Sequence, residues 1–110
     1  SRVLVTAAPD GFDLGAPHHR RASRDPYDLV LLFCPELTSL HRRWPDALAR
    51  TAVNGALWIA WPKRSSGVRT DLTEDVIRDF ALPYGVVDVK VCAVDEVWSG
   101  LKLVRRLSNR

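Results

Sequence analysis

Apolar positions fall into short continuous runs and one longer stretch with helical spacing, so strands and helices can be told apart along most of the chain. Val3-Leu4-Val5-Thr6-Ala7-Ala8 reads as a short buried strand, stopped by the turn signal Pro9-Asp10-Gly11. Phe12 to Asp28 sustains no period and carries Gly15, Pro17 and Pro26; His19 to Ala22 is its one candidate for a short edge strand. Tyr27-Asp28 then leads into Leu29-Val30-Leu31-Leu32-Phe33-Cys34, an apolar run typical of strands covered on both faces, and Pro35 ends it. From Glu36 to Thr51 the apolar residues Leu37, Leu40, Trp44, Ala47 and Leu48 make one helical face, with Arg42, Arg43, Asp46 and Arg50 mainly opposite. Pro45 interrupts that pattern at a cost of about 3 kcal/mol, which predicts a kink or a second helix starting near Trp44. Asn54-Gly55 is expected to close the helix as a left-handed cap.

Gly55-Ala56-Leu57-Trp58-Ile59-Ala60-Trp61 repeats the two-faced apolar pattern, so the two strands and the helix between them form a parallel, right-handed βαβ unit. Trp58 and Trp61 differ by three positions and therefore lie on opposite faces, one under each expected helix layer. Asp71-Leu72-Thr73-Glu74 has capping-box spacing and predicts a helix with Asp71 as its cap. Leu72, Val76, Ile77, Phe80 and Ala81 form its buried stripe, and Pro83 to Gly85 end it. Val86 to Val94 and Leu101 to Leu107 read as a hairpin joined by Asp95 to Gly100. The order predicts a small Rossmann-like α/β domain of three layers, with roughly five or six strands, mostly parallel, and a C-terminal antiparallel hairpin.

Length adds that 110 residues make one domain, residues 1–110, with no internal linker. Cys34 and Cys92 both lie in apolar runs, where thiols are inert core groups, and a reducing, cytoplasmic compartment is expected. No targeting segment or membrane span is visible. The lack of methionine, even at position 1, suggests a trimmed chain with residues missing upstream. The net charge of +3 permits nucleic-acid binding without arguing for it, so neither a nucleic acid nor a membrane is the expected partner.

Candidate chemistry concentrates at strand ends. The turn Thr6-Ala7-Ala8-Pro9-Asp10-Gly11-Phe12 sits where nucleotide-binding folds carry a glycine-rich loop, yet it offers only Gly11, beside a proline without an N–H. That counts against dinucleotide and S-adenosylmethionine chemistry, and no cofactor is expected. Pro62-Lys63-Arg64-Ser65-Ser66-Gly67-Val68-Arg69-Thr70-Asp71 is the better candidate, leaving the end of a central strand where α/β ligands collect. Lys63, Arg64 and Arg69 can neutralise an anion, and Ser65, Ser66 and the Gly67 backbone can orient it; against this, Asp71 competes for the helix dipole. Trp61 can stack on a ligand or simply pack. Asp95, Glu96, Trp98 and Ser99 form an acidic, aromatic tip without a third metal ligand. His18-His19 and His41 lack partner motifs, and no Ser–His–Asp or Cys–His set can be assembled.

These same blocks carry a family resemblance. Ala8-Pro9-Asp10-Gly11-Phe12, Gly55 to Lys63, Ser66-Gly67 with Asp71-Leu72-Thr73-Glu74, Ala81-Leu82-Pro83, Val87-Asp88-Val89-Lys90-Val91 and Asp95 to Lys102 together resemble the family catalogued as domain of unknown function 3052. The resemblance spans nearly the whole chain, is weakest over Pro17 to Tyr27, and implies no reaction. Members commonly begin with a short segment ahead of the first strand. The closing order of helix then hairpin is also similar to the C-terminal half of the class I methyltransferase fold, an analogy of topology. The expected function is a non-catalytic binding or regulatory domain. A small anionic, phosphate-bearing ligand is expected on Trp61, Lys63, Arg64, Ser65, Ser66 and Gly67, walled by Pro9, Asp10, Gly11 and Phe12 and covered by Trp98. The alternatives are a degenerate methyltransferase-like enzyme, and a module that pairs with a protein or a second copy through the C-terminal hairpin.

Overall fold

Residues 1–109 are described by a computed structural model, and the apolar runs become the strands of one sheet. β1 is Val3–Thr6, β2 Tyr27–Phe33, α1 Leu37–Arg50, β3 Thr51–Pro62, α2 Glu74–Ala81, β4 Val86–Ala93 and β5 Trp98–Arg105. The strand order is β1-β2-β3-β5-β4. β1, β2 and β3 pair in parallel, while β5 runs antiparallel to both β3 and β4. Four of the five strands thus point the same way, and the hairpin strand β5 is wedged inside the sheet rather than added at its end.

Both helices lie on one face. Val30, Leu32, Cys34, Leu57, Ile59 and Trp61 of the sheet share one core with Leu40, Trp44 and Ala47 of α1 and Ile77 and Ala81 of α2. The expected three-layer arrangement is therefore corrected to two layers. Right-handed crossovers that advance in one direction along a sheet place their helices on a single face, and β2 to β3 to β4 is such an advance. A helix on the other face would have to come from residues 7–26, where Pro9, Gly11, Gly15, Pro17 and Pro26 forbid one. That face instead buries Val5, Leu31, Phe33 and Ala60 beneath Ala8, Phe12, Leu14, Val94 and Trp98. Trp58 and Trp61 do fall on opposite faces, Trp61 under the helices and Trp58 against this second cluster.

Local differences from the sequence reading have local causes. Pro45 sits inside one continuous helix, and no second helix starts at Trp44. Fully burying a large apolar side chain contributes about 1.5–3 kcal/mol, so Leu40 and Trp44, both 0% exposed, offset the proline's missing hydrogen bond. α1 is closed by Thr51, whose hydroxyl donates to the Ala47 carbonyl at 2.8 Å, and the chain passes straight into β3. Asn54-Gly55 is consequently strand and not a cap. A Cβ on Gly55 would stand 2.7 Å from the Asp28 carbonyl oxygen, so this glycine lets β3 approach β2 where their register shifts. His19 to Ala22 shrinks to a single bridge: His19 donates to the Val3 carbonyl (2.8 Å) and accepts from the Val5 N–H (2.9 Å). Trp98 to Gly100 belong to β5, because Asp95 Oδ1 accepts the N–H groups of Val97 and Trp98 (2.8 Å each) and completes a shorter turn.

Polar ties fix the layers. Arg78 of α2 pairs with Glu74, Asp75 and Asp88, the last at 2.9 Å on β4. Arg105 donates to the carbonyls of Leu48, Thr51 and Ala52, pinning β5 to the end of α1. The buried Tyr27 hydroxyl meets His19 Nδ1 at 2.7 Å and the Ser23 N–H at 2.9 Å, while the Arg2 guanidinium lies 4.5 Å from its ring. Burial pushes this phenol up, but the Ser23 hydrogen bonds with the Arg2 and Arg50 charges outweigh it and hold it below its ordinary value.

Candidate functional site

The chain leaves β3 at Trp61-Pro62, both held in register with Ser99 and Trp98 of β5. Lys63 donates its N–H to the Val97 carbonyl at 2.8 Å. A single 3-10 turn, Arg64–Ser66, follows, and Gly67 ends it at φ 77°, a left-handed conformation natural to glycine. Ser66 is consumed inside this turn: its hydroxyl donates to the Lys63 carbonyl (2.7 Å) and accepts from the Val68 N–H (3.2 Å).

The loop is then stitched to the start of α1. Thr70 donates to the Pro35 carbonyl at 2.6 Å, and Asp71 Oδ1 accepts the Leu37 N–H at 2.8 Å. Asp71 thus caps α1, across the sheet edge, rather than α2 as its spacing predicts. The N-cap of α2 is Thr73, whose hydroxyl accepts the Val76 N–H at 3.2 Å. Sequence spacing missed this because the Asp71 partner lies 34 residues away. A second cap is supplied locally, where the Ser39 hydroxyl accepts the Glu36 N–H at 3.1 Å.

Between these ties lies an open cleft of about 1010 Å³ at the C-terminal end of β3. Trp61, Pro62, Lys63, Arg64, Gly67 and Arg69 line it, facing Glu36, Asp71 and Glu74. Among the described residues, the Lys63, Arg64 and Arg69 side chains have no hydrogen bond or ion pair. Of the acids opposite, Glu74 is held by Arg78 and Asp71 by the Leu37 N–H. Glu36, exposed and in no ion pair among the described residues, offsets part of this, and with three cations against it the uncommitted charge of the cleft is positive in excess.

Of the residues singled out by sequence, Trp61, Lys63, Arg64 and Gly67 meet here, and Ser65 and Ser66 do not line the space. Trp61 is 7% exposed and packs in the helix-side core, so little of its indole is open to the cleft. Pro9, Asp10, Gly11 and Phe12 are elsewhere. Their turn, closed by Phe12 N–H to the Pro9 carbonyl (3.1 Å), packs Phe12 on Phe33 at 4.8 Å between ring centroids. Trp98 packs on the same Phe33 at 5.0 Å, on the face away from the helices. Arg69 and Asp71 of the same loop line it too, Ser99 of the expected hairpin tip reaches it through its pairing with Trp61, and Glu36 joins it unannounced by any sequence signal.

Other candidate chemistry is accounted for structurally. Burial pushes the Cys34 thiol up to about 12, with the Arg43 charge acting in the opposite direction, which leaves it a poor nucleophile. Cys34 and Cys92 are free thiols. His18 Nδ1 lies 2.7 Å from the Ala16 carbonyl, and His41 stacks edge-on against Phe80 at 4.7 Å. Among the described residues, no group of three or more His, Cys, Asp or Glu is placed to hold a metal ion, and no helix is long and apolar enough to cross a membrane.

No family model and no curated protein matches the chain. Solved structures share its fold, two of them as follows. The chain is similar to a ribosomal protein L11 methylase from Lactobacillus delbrueckii subsp. bulgaricus, with a TM-score of 0.52 at 12% identity, over 74% of this chain and 38% of that one. It is likewise similar to LepI in complex with SAM, with a TM-score of 0.56 at 10% identity, over 96% of this chain and 36% of that one. The chain spans under two-fifths of the length of either. The α/β fold with a mixed five-stranded sheet is thus one that this chain has in common with these proteins.

Proposed function

We propose that this chain is a non-catalytic binding domain that holds a small anionic, phosphate-bearing ligand in the cleft at the C-terminal end of β3. The observation that carries this is the convergence of Lys63, Arg64 and Arg69, each without a side-chain partner among the described residues, on one cleft. Uncommitted cations at a strand end act on an anion without first breaking an internal ion pair. The ligand is held by charge and backbone rather than by stacking, because the Trp61 ring is packed in the core. A thermal-shift and calorimetric series with adenosine monophosphate, ribose 5-phosphate and glycerol 3-phosphate tests the proposal. Binding by at least one, lost in the Lys63→Ala/Arg64→Ala variant, supports it; no shift and no heat with all three sinks it.

A reduced methyltransferase-like enzyme is the second candidate, favoured by the likeness in fold. The residues leaving β1 fit S-adenosylmethionine poorly. They carry Pro9, fold Phe12 onto Phe33, and lead into no helix among the described residues before β2. Calorimetry with S-adenosylmethionine separates the two: saturable heat would favour the enzyme. Pairing through the hairpin edge is the third, and the β4 edge is blunted for it by a register shift between Asp88 and Lys90 and by Lys90 itself. Light scattering over a concentration series decides it, since a strict monomer removes the homodimer.

A further inference from the structure

We infer that the small cleft between β1 and α1 is a separate binding site for a tetrahedral oxyanion, either free phosphate or the terminal phosphate of a small ester. Its walls are Thr6 at the end of β1, Leu32 of β2, and Arg42, Arg43, Asp46 and Ala47 of α1. It lies at the C-terminal edge of the sheet, two strands from the larger cleft and sharing no residue with it.

Size selects the ligand class. At about 230 Å³ the space is smaller than the roughly 300–1,000 Å³ of sites for cofactors and drug-sized ligands, but it admits an oxyanion with its bound water. Charge selects the sign. Arg42 and Arg43 are consecutive on the helix, so their side chains diverge by about 100°. Both nevertheless line this one cleft. Neither guanidinium has a hydrogen bond or ion pair among the described residues, and the half-buried Thr6 hydroxyl has none either. The one acid of the lining, Asp46, is already taken by Arg50, whose Nε donates to both carboxylate oxygens at 3.0 and 3.1 Å. The floor is apolar, formed by the buried Leu32 and Ala47, and the two guanidiniums supply planar forks of donors that match a tetrahedral oxyanion.

The backbone at the rim agrees. Ala7, directly after Thr6, has φ 59° and is the one non-glycine residue in the left-handed region among those described. Such conformations persist where surrounding contacts over-determine them, as at ligand clamps. Here the bend turns the chain away as soon as Thr6 has reached the cleft.

Backbone amide shifts of the full chain, titrated separately with inorganic phosphate and with glycerol 3-phosphate, test the inference. Saturable shifts at Thr6, Ala7 and the 42–47 segment are expected, weakened about tenfold or more in Arg42→Gln/Arg43→Gln and retained in Lys63→Ala/Arg64→Ala. Equal affinity for both probes assigns a free anion, and a tighter fit for the ester assigns a terminal phosphate. Absence of shifts at Thr6 and Ala7 up to ~20 mM of either probe, or shifts that survive the Arg42→Gln/Arg43→Gln change, overturns it. Both arginines are exposed, so an unchanged thermal midpoint of the double variant rules out unfolding as the cause of a loss. Shifts confined to residues 63–69 would overturn this site while leaving the larger cleft as proposed.

Discussion

Replacing Gly55 with alanine tests how β2 and β3 are joined. The added Cβ would lie 2.7 Å from the Asp28 carbonyl oxygen, 3.0 Å from that of Tyr27 and 3.2 Å from that of Ala52. All three are backbone atoms, so no side chain can swing away, and β2 must retreat by several tenths of an ångström. This is the point where pairing jumps from Tyr27 with Thr51 to Leu29 with Ala56. Overpacking of this kind costs about 1–3 kcal/mol, and it acts against the 0.4–1 kcal/mol that a Gly→Ala change contributes through the unfolded chain. A net loss of about 1–2 kcal/mol is expected, read as the urea midpoint at unchanged slope. For a domain of this size that corresponds to a fall in thermal midpoint of roughly 3–10 °C. Asn54→Ala, at an exposed neighbour, should stay within about 0.5 kcal/mol. A Gly55→Ala protein as stable as the parent, or more so, would refute the close approach and with it the register.

Asp71→Ala should cost about 1 kcal/mol by uncapping α1, and its amide exchange should quicken at Leu37 rather than at Val76. Thr73→Ala should show the opposite localisation at a similar cost. Phe12→Ala should lose roughly 1–3 kcal/mol from its contact with Phe33, yet leave ligand binding at the β3 cleft unchanged, because the turn lies on the other face; a parallel loss of binding in a folded variant would contradict the placement. The Arg78 hydrogen bond holds the Asp88 carboxyl below its usual range. A depressed native value means that this stability is present above the unfolded carboxylate range and is lost as pH falls through the native value. Arg78→Ala should therefore flatten the decline in stability below about pH 4, which acid titrations of parent and variant would reveal.

Residues whose partners are near in sequence were easiest to read. The apolar runs at Leu29 to Cys34 and Gly55 to Trp61 announced the central strands, and the spacing of Leu37, Leu40, Trp44 and Ala47 announced α1. Layer number was not legible, because it depends on the direction in which successive crossovers advance along the sheet. The Asn54-Gly55 dipeptide misled for a related reason: a glycine demanded by a neighbouring backbone looks in sequence like one demanded by a cap. Asp71 and Thr73 show the same ambiguity at capping distance, resolved only by the approach of Leu37. In the larger cleft, Lys63, Arg64 and Gly67 were visible as a basic strand-end loop. Glu36 was not, and Ser99 was legible only as part of a hairpin tip, since tertiary pairing alone brings both there. The turn at Pro9 to Phe12 reads in sequence as a wall of the cleft, by analogy with nucleotide-binding loops, but Phe12 packs on Phe33 on the opposite face instead.

The central claim is that the Lys63–Arg64–Arg69 cleft takes a phosphate-bearing ligand. Backbone amide shifts on titration with adenosine monophosphate test it most directly. Saturable changes across residues 63–73, absent from 9–12 and abolished by Lys63→Ala/Arg64→Ala, are the predicted result. Changes at the Pro9–Phe12 turn instead, or none in the cleft up to ~10 mM ligand, would contradict it.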